Sequence, residues 1–198
     1  MSTFEKFRHA GCRVKIYPDD HPESPREWDN LGTMVCCHTR YLLGDEPYNW
    51  DHVDAQKLHM ELAAAGALIL PLYLYDHSGI TMNTTGFSCP WDSGQVGFIY
   101  ATREKVRAEY QVTRITKKLR QQVLNLLAAE VETYDQFITG DVWGYVVRDE
   151  SSGDEESCWG FYGLDSCRQE AKQMSEYLRN RRIGALGEQL PLNLGGAL

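Results

Sequence analysis

The segment Leu70–Tyr100, LPLYLYDHSGITMNTTGFSCPWDSGQVGFIY, gathers the side chains best suited to covalent chemistry. Asp76, His77 and Ser78 stand together before Gly79, and Cys89, Asp92 and Ser93 follow in one loop with Thr84, Thr85, Ser88 and Trp91. A thiol or hydroxyl beside an imidazole that a carboxylate orients is what nucleophilic catalysis needs, because the imidazole takes the nucleophile's proton. Asp76, His77, Ser78, Cys89 and Asp92 are therefore the candidate catalytic residues of a small hydrolase, or the centre of a nucleotide-processing or ligand-sequestering site. The same residues also have an ordinary reading. Asp-His-Ser-Gly favours a tight reversal, since Asp, Ser and Gly each suit turn positions. No Gly-x-Ser-x-Gly elbow fixes a nucleophile at a strand–helix junction, so the turn takes precedence and the enzyme reading stands second.

Three other groups of residues have metal-ligating types. Asp19, Asp20, His21, Glu23 and Asp29 share the first loop, but without the glycine and terminal glutamate of a calcium-binding helix–loop–helix. His52 and His59 lie seven apart, too far to share an ion without further ligands. Cys36, Cys37 and His38 have no second Cys/His pair at finger spacing. No metal is assigned. Neither a Gly-x-Gly-x-x-Gly turn nor a Walker loop occurs, and no cofactor is implied.

The elements that must position these residues follow from periodicity. Cys12–Tyr17 and Thr33–Thr39 read as strands, separated by the proline-rich loop PDDHPESPREWDNLG. Asp51–Ala65 reads as a helix with Val53, Leu58, Leu62 and Ala65 as its apolar positions and Gly66 as its stop. Ala67–Tyr75 reads as a buried strand in which Pro71 marks an edge or a bulge. "ITMNT" and Gln95–Tyr100 extend the strand pattern. Thr102 opens a short helix. A long one begins at Thr113 with Leu119, Val123, Leu126, Leu127, Val131, Tyr134 and Phe137 on one stripe, and Gly140 ends it. Val142–Val147 and Cys158–Tyr162 form a hairpin that sets Trp143 and Trp159 on facing strands, and a last helix runs from Asp165 or Ser166 to about Arg182. Hairpins and helices mix without a βαβ rhythm. The expectation is a single α+β domain over residues 1–183 with a mostly antiparallel sheet covered by helices, and a flexible tail over 184–198.

The 198 residues, 42% of them hydrophobic, can form a sizeable core. The net charge of −8 argues against nucleic acid as a general partner. The exception is a local patch at Arg103–Arg120, where Arg103, Lys105, Arg107, Arg114, Lys117, Lys118 and Arg120 outnumber Glu104 and Glu109. Residues 149–156, DESSGDEE, form an acidic turn. The six cysteines include no C-x-x-C pair and suit reduced thiols. With no apolar leader and no stretch long enough to span a bilayer, the expectation is a cytoplasmic protein without a membrane segment.

The stretches ESPREWDNLGTMVC, LYLYDHSGITMNT, FSCPWDSGQVGFIY and SCWGFYG resemble those of an uncharacterised protein family carried by bacteriophages and mobile elements, over roughly residues 10–175. The resemblance implies a small accessory protein of phage or plasmid origin, and it supplies no catalytic residues. The C-terminal residues QLPLNL resemble the Q-L-x-L-x-L hexapeptide by which polymerases and other replication proteins dock on the bacterial sliding clamp. Gln189, Leu190, Leu192 and Leu194 match it, with Pro191 and Asn193 at the free positions. That likeness implies a non-enzymatic protein that binds a host protein, the clamp, in the cytoplasm of the bacterial host, to modulate host replication or defence.

Overall fold

The structure is a computed structural model that describes residues 2–48 and 50–188, with backbone alone for 185–188. In chain order the strands are β1 (Glu5–His9), β2 (Cys12–Pro18), β3 (Thr33–Cys36), β4 (Leu68–Asp76), β5 (Ile80–Asn83), β6 (Ser93–Ala101), β7 (Val142–Asp149) and β8 (Glu155–Tyr162). The helices are α1 (His52–Ala64), α2 (Arg103–Glu109), α3 (Lys117–Thr139) and α4 (Leu164–Glu188). The fold is α+β with antiparallel sheets, as the sequence predicts. Its contacts group the described residues into two compact units, one from Met1–Pro22 with Gly140–Leu198 and the other from Glu23–Thr139.

The inserted unit, Glu23–Thr139, is built on the sheet β3-β6-β4-β5. Period-two alternation sorts its strands onto two faces. Leu68, Leu72, Leu74, Ile99 and Met34 enter one core with Leu119, Val123, Leu127, Val131 and Tyr134 of α3. Val35, Cys37 and Phe98 enter the other, with Ala55, Leu58 and Leu62 of α1. Pro71 satisfies both halves of its expectation. β5 begins pairing with β4 only at Tyr73, so Pro71 has one strand neighbour, and a bulge follows at Leu72/Tyr73. The amphipathic pattern of α1 misleads at Val53, which is 72% exposed, because that helix buries fully only Ala55. Residue 113 proves too early a start for α3. The Thr116 hydroxyl caps the helix by accepting from Leu119 N at 3.2 Å.

The proline-rich segment before β3 is irregular yet fixed. Arg26 donates to both carboxylate oxygens of Asp45, at 2.7 and 2.9 Å, to Glu130 Oε2 at 3.3 Å and to the Gly32 carbonyl at 2.7 Å. Glu130 in turn accepts from Leu31 N at 2.9 Å and Gly32 N at 3.1 Å, and Asp45 from Met34 N at 2.9 Å. The Arg26 and Glu130 side chains are 5% and 9% exposed. Burial alone would lower the guanidinium's pKa, but the hydrogen bond and charge of Asp45, with Glu130, outweigh it and hold the group above its usual value.

The terminal unit carries the sheet β1-β2-β7-β8, with α4 on one face. Cys12, Val14, Ile16, Tyr145 and Val147 meet Cys167, Ala171 and Leu178 there. β1 escapes the sequence expectation because Glu5-Lys6-Phe7-Arg8-His9 offers only one apolar side chain to its buried face. α4 continues past Arg182 to Glu188. Asp149, 1% exposed, accepts from Ser151 N at 2.8 Å, Ser152 N at 3.2 Å and Arg182 Nη1 at 2.7 Å, which ties α4 to the β7–β8 turn. Burial alone would raise this carboxyl's pKa. The two backbone donors and Arg182 outweigh burial and hold it below the usual range.

Two outcomes follow. Arg26→Ala leaves two buried carboxylates unpaired and should cost about 3–5 kcal/mol in chemical denaturation. Asp149, with its native pKa below the unfolded value of about 3.9, contributes stability that is complete above that pH and lost as pH falls through the native value. Asp149→Asn should therefore lower the melting temperature at pH 7, and the difference from wild type should shrink below about pH 4.

Candidate functional site

Asp76 and Ile80 are the last pair of the β4–β5 hairpin, so His77, Ser78 and Gly79 form its tip. Ser78 sits at φ +60°, and His77 N donates to the Gly79 carbonyl at 3.0 Å, which is the tight reversal that the residue types favour. The β5–β6 loop is closed by Asn83, whose Oδ1 accepts from Thr85 N at 3.0 Å and Gly86 N at 2.7 Å. The Ser93 hydroxyl donates to the Cys89 carbonyl, and Asp76 N donates to the Asp92 carbonyl at 2.8 Å. These bonds hold the tip against the loop.

Four of the five candidate catalytic residues therefore come together. Their order is not that of a nucleophilic triad. Asp92 Oδ2 accepts from His77 Nδ1 at 3.3 Å and from the Cys89 thiol at 3.7 Å, so the carboxylate, not the imidazole, holds the middle place. A triad needs the imidazole between nucleophile and acid. Ser78 stands exposed at the apex of the turn.

The site also recruits residues that spacing could not reveal. Arg40 forms an ion pair with Asp76, and the Tyr41 hydroxyl lies 3.3 Å from Asp76 Oδ1. His38 Nδ1 accepts from Arg40 N and Tyr41 N, both at 3.2 Å, and its ring stacks on Tyr41 at 5.0 Å. These residues follow β3, and only the sheet order brings their segment to the far end of β4. With Trp91, 91% exposed, His38, Arg40, Asp76 and Asp92 line an open cleft of about 320 Å³. An indole, a guanidinium and carboxylates around an open cleft can recognise a planar or charged group. They do not supply a proton-transfer chain.

The metal-type residues are occupied otherwise. Asp19 accepts from His21 N and from Gly160 N, both at 3.1 Å. Cys36 and Cys37, adjacent at the end of β3, point into the two opposite cores of the inserted unit. His59 packs edge-on to Phe98 at 5.1 Å. Among the described residues no three His, Cys, Asp or Glu side chains are grouped to hold a metal ion, and no helix is long and apolar enough to cross a membrane. Lys105 of the expected basic patch donates to the Asn30 carbonyl at 2.7 Å. The acidic turn is largely engaged: besides buried Asp149, Arg181 pairs with Asp154 at 2.6 Å and Arg13 with Glu150 at 2.8 Å. Gln189, Leu190, Leu192 and Leu194 lie outside the described residues. No protein-family model, curated protein or solved structure matches the chain.

All six cysteines are free thiols. Burial pushes the Cys36 and Cys167 thiols up to about 12 and raises that of Cys12. With a thiol reagent at pH 8, exposed Cys158 should react first and half-buried Cys89 next, while Cys12, Cys36 and Cys167 should react only on unfolding. Peptide mapping after timed labelling checks the order. Asp92→Ala, which frees the Cys89 thiol from its acceptor and loosens the loop, should speed labelling of Cys89 alone.

Proposed function

We propose that the protein is a non-enzymatic interaction protein of phage or mobile-element origin. In this reading it acts in the cytoplasm of a bacterial host, docking on the DNA sliding clamp through Gln189, Leu190, Leu192 and Leu194 to modulate host replication or defence. The observation that carries the reading is the hexapeptide itself. A glutamine amide both donates and accepts hydrogen bonds at the mouth of a cleft, while alternate leucines fill apolar pockets below it. Pro191 fixes φ and reduces the entropy lost when an extended peptide docks. The hexapeptide follows directly on α4, which ends at Glu188, so it continues from an element of the fold. The central place of Asp92 supports the non-enzymatic half, since neither Cys89 nor Ser78 has the imidazole relay of a nucleophile.

A second reading rests on Trp91. An indole left 91% exposed beside Arg40 and Asp76 fits sequestration of a small planar or charged ligand in the cleft.

Calorimetry separates the two. The full-length protein and a peptide of residues 186–198 should each bind purified bacterial clamp with micromolar Kd. Gln189→Ala with Leu192→Ala should remove that binding, and His77→Ala with Cys89→Ala should leave it unchanged. Absence of binding at high micromolar protein would make the hexapeptide a coincidence. A biological effect that survives deletion of residues 186–198 but not Trp91→Ala would favour the cleft.

A further inference from the structure

We propose that the open face of the terminal sheet binds single-stranded nucleic acid, through phosphate contacts from five cations and base stacking on a pair of aromatic rings. The face is defined by what α4 leaves uncovered. Glu5 and His9 of β1 turn toward α4, meeting Arg168 and Glu176, and Cys12 of β2 donates to the Ser175 carbonyl. By strict alternation Lys6, Arg8, Arg13, Lys15, Tyr17, Val146 and Arg148 point the other way. Lys6, Arg8, Arg13 and Arg148 are exposed and Lys15 is half-buried.

The register then does what the sequence hides. Lys6 stands opposite Lys15, Arg8 opposite Arg13, and Arg13 opposite Arg148. Like charges directly opposite on neighbouring strands destabilise a sheet. A merely solvated face in a chain with 28 acids and 20 bases would alternate its signs. Here two carboxylates meet five cations. Glu155 stands opposite Arg148, and Glu150 lies 3.1 Å from Arg8 and 2.8 Å from Arg13. The Arg8 and Arg13 side chains remain 71% and 54% exposed, so this bridge is an exchangeable surface contact. An oxygen anion held between two guanidiniums also marks where a phosphate oxygen would sit.

Beside the cations lies an aromatic platform. Tyr17 and Trp159 have ring centroids 6.0 Å apart with their planes at 37°. Trp159, 38% exposed, lies flat over Gly144, where an added Cβ would come within 2.1 Å of the indole. The bulge between Trp143 and Tyr145 shifts the register, so Trp159 takes the open face while Trp143 packs on the core side. This corrects the expectation of two facing indoles. Exposed rings beside a cationic groove stack on unpaired bases, which a duplex keeps inside its own stack. That combination favours a single strand, DNA or RNA, over a duplex or an acidic protein. The face lies far in sequence from Arg103–Arg120, and it is independent of the clamp hexapeptide.

The test is fluorescence anisotropy with labelled 20-mers of deoxythymidine and of uridine, titrated with the full-length protein. Micromolar binding is expected at about 50 mM salt, with log K falling against log salt at a slope of up to about −3.5, at about 0.7 for each phosphate contact. The preferred 20-mer tells DNA from RNA. Arg13→Gln with Arg148→Gln should weaken binding at least about tenfold and flatten the slope by about 1.4. Trp159→Leu should weaken it about tenfold with the slope kept. The first pair lies on the surface and should fold as wild type by circular dichroism, so it decides the matter alone if Trp159→Leu misfolds. Deleting residues 189–198 should change nothing here. No binding of either 20-mer, a slope untouched by the arginine pair, equal or tighter binding of a duplex, or equal displacement by polyglutamate would each overturn the assignment.

Discussion

The fork of Arg26 between Asp45 and Glu130 is the constraint on which the inserted unit turns. The chain enters that unit through a segment with three prolines in eight residues, Pro18, Pro22 and Pro25, which no helix or ladder could hold. A guanidinium that is 5% exposed replaces the missing backbone pairing: it fastens the segment to α3 and, through Asp45, to the loop after β3. Glu130 takes the amides of Leu31 and Gly32 that the irregular backbone would otherwise leave buried and unpaired. Gly32 is the sole residue that fits there. A Cβ would lie 2.6 Å from Ile99 Cδ1 and 2.7 Å from Glu130 Oε2. A buried ion pair of this kind contributes less to net stability than its geometry suggests, because both partners lose their water, but it admits few alternative arrangements.

The consequence reaches the terminal unit through chain connectivity. Its central strands, β2 and β7, are antiparallel neighbours from Cys12 against Asp149 to Pro18 against Trp143, and Asp19 N donates to the Val142 carbonyl at 2.8 Å. The link between them is the whole of Glu23–Thr139. Closing an unstructured loop of that length costs about 4 kcal/mol of chain entropy. A folded insertion removes most of that cost, because its entry segment is already fastened to the helix by which the chain leaves. The arginine that orders the entry loop thus also lowers the cost of pairing β2 with β7.

Much of this architecture is legible in the residues. The leucines of Leu68–Leu74 at alternate positions, the stripe on α3 and the caps Asp51 and Thr102 read directly as a buried strand and helices, and the structure has them. The division into two units is not legible, since no composition change marks residues 22 or 140. β1 hides because its outward positions are Lys6 and Arg8 and its inward ones include Glu5 and His9. At the candidate site, the gathering of Asp76, His77, Cys89 and Asp92 follows from two adjacent turns, whereas the roles of Arg40 and Tyr41 do not. Their segment follows the edge strand β3, and its approach to the tip of β4 depends on the order β3-β6-β4-β5. The open sheet face is hidden for the same reason: its cations lie between residues 6 and 148, and only the register collects them.

A single use of carboxylates links these features. Asp45 and Glu130 fix the entry segment. Asp135 accepts from the Thr81 hydroxyl at 2.8 Å and Met82 N at 2.6 Å, fastening β5 to α3. Asp92 and Asp76 hold the hairpin tip, Asp149 the β7–β8 turn, and Asp19 the amide of Gly160. Each lies where the backbone is irregular and its N–H groups lack ladder partners, and an ionised carboxylate accepts several donors at once. Part of the net charge of −8 is thereby turned inward as fastening and is not displayed as an acidic surface. The same logic explains why Asp92 reads like a catalytic acid but sits between an imidazole and a thiol. It closes a loop, and the residues that compose a nucleophile's retinue in sequence are, in space, donors grouped around one acceptor.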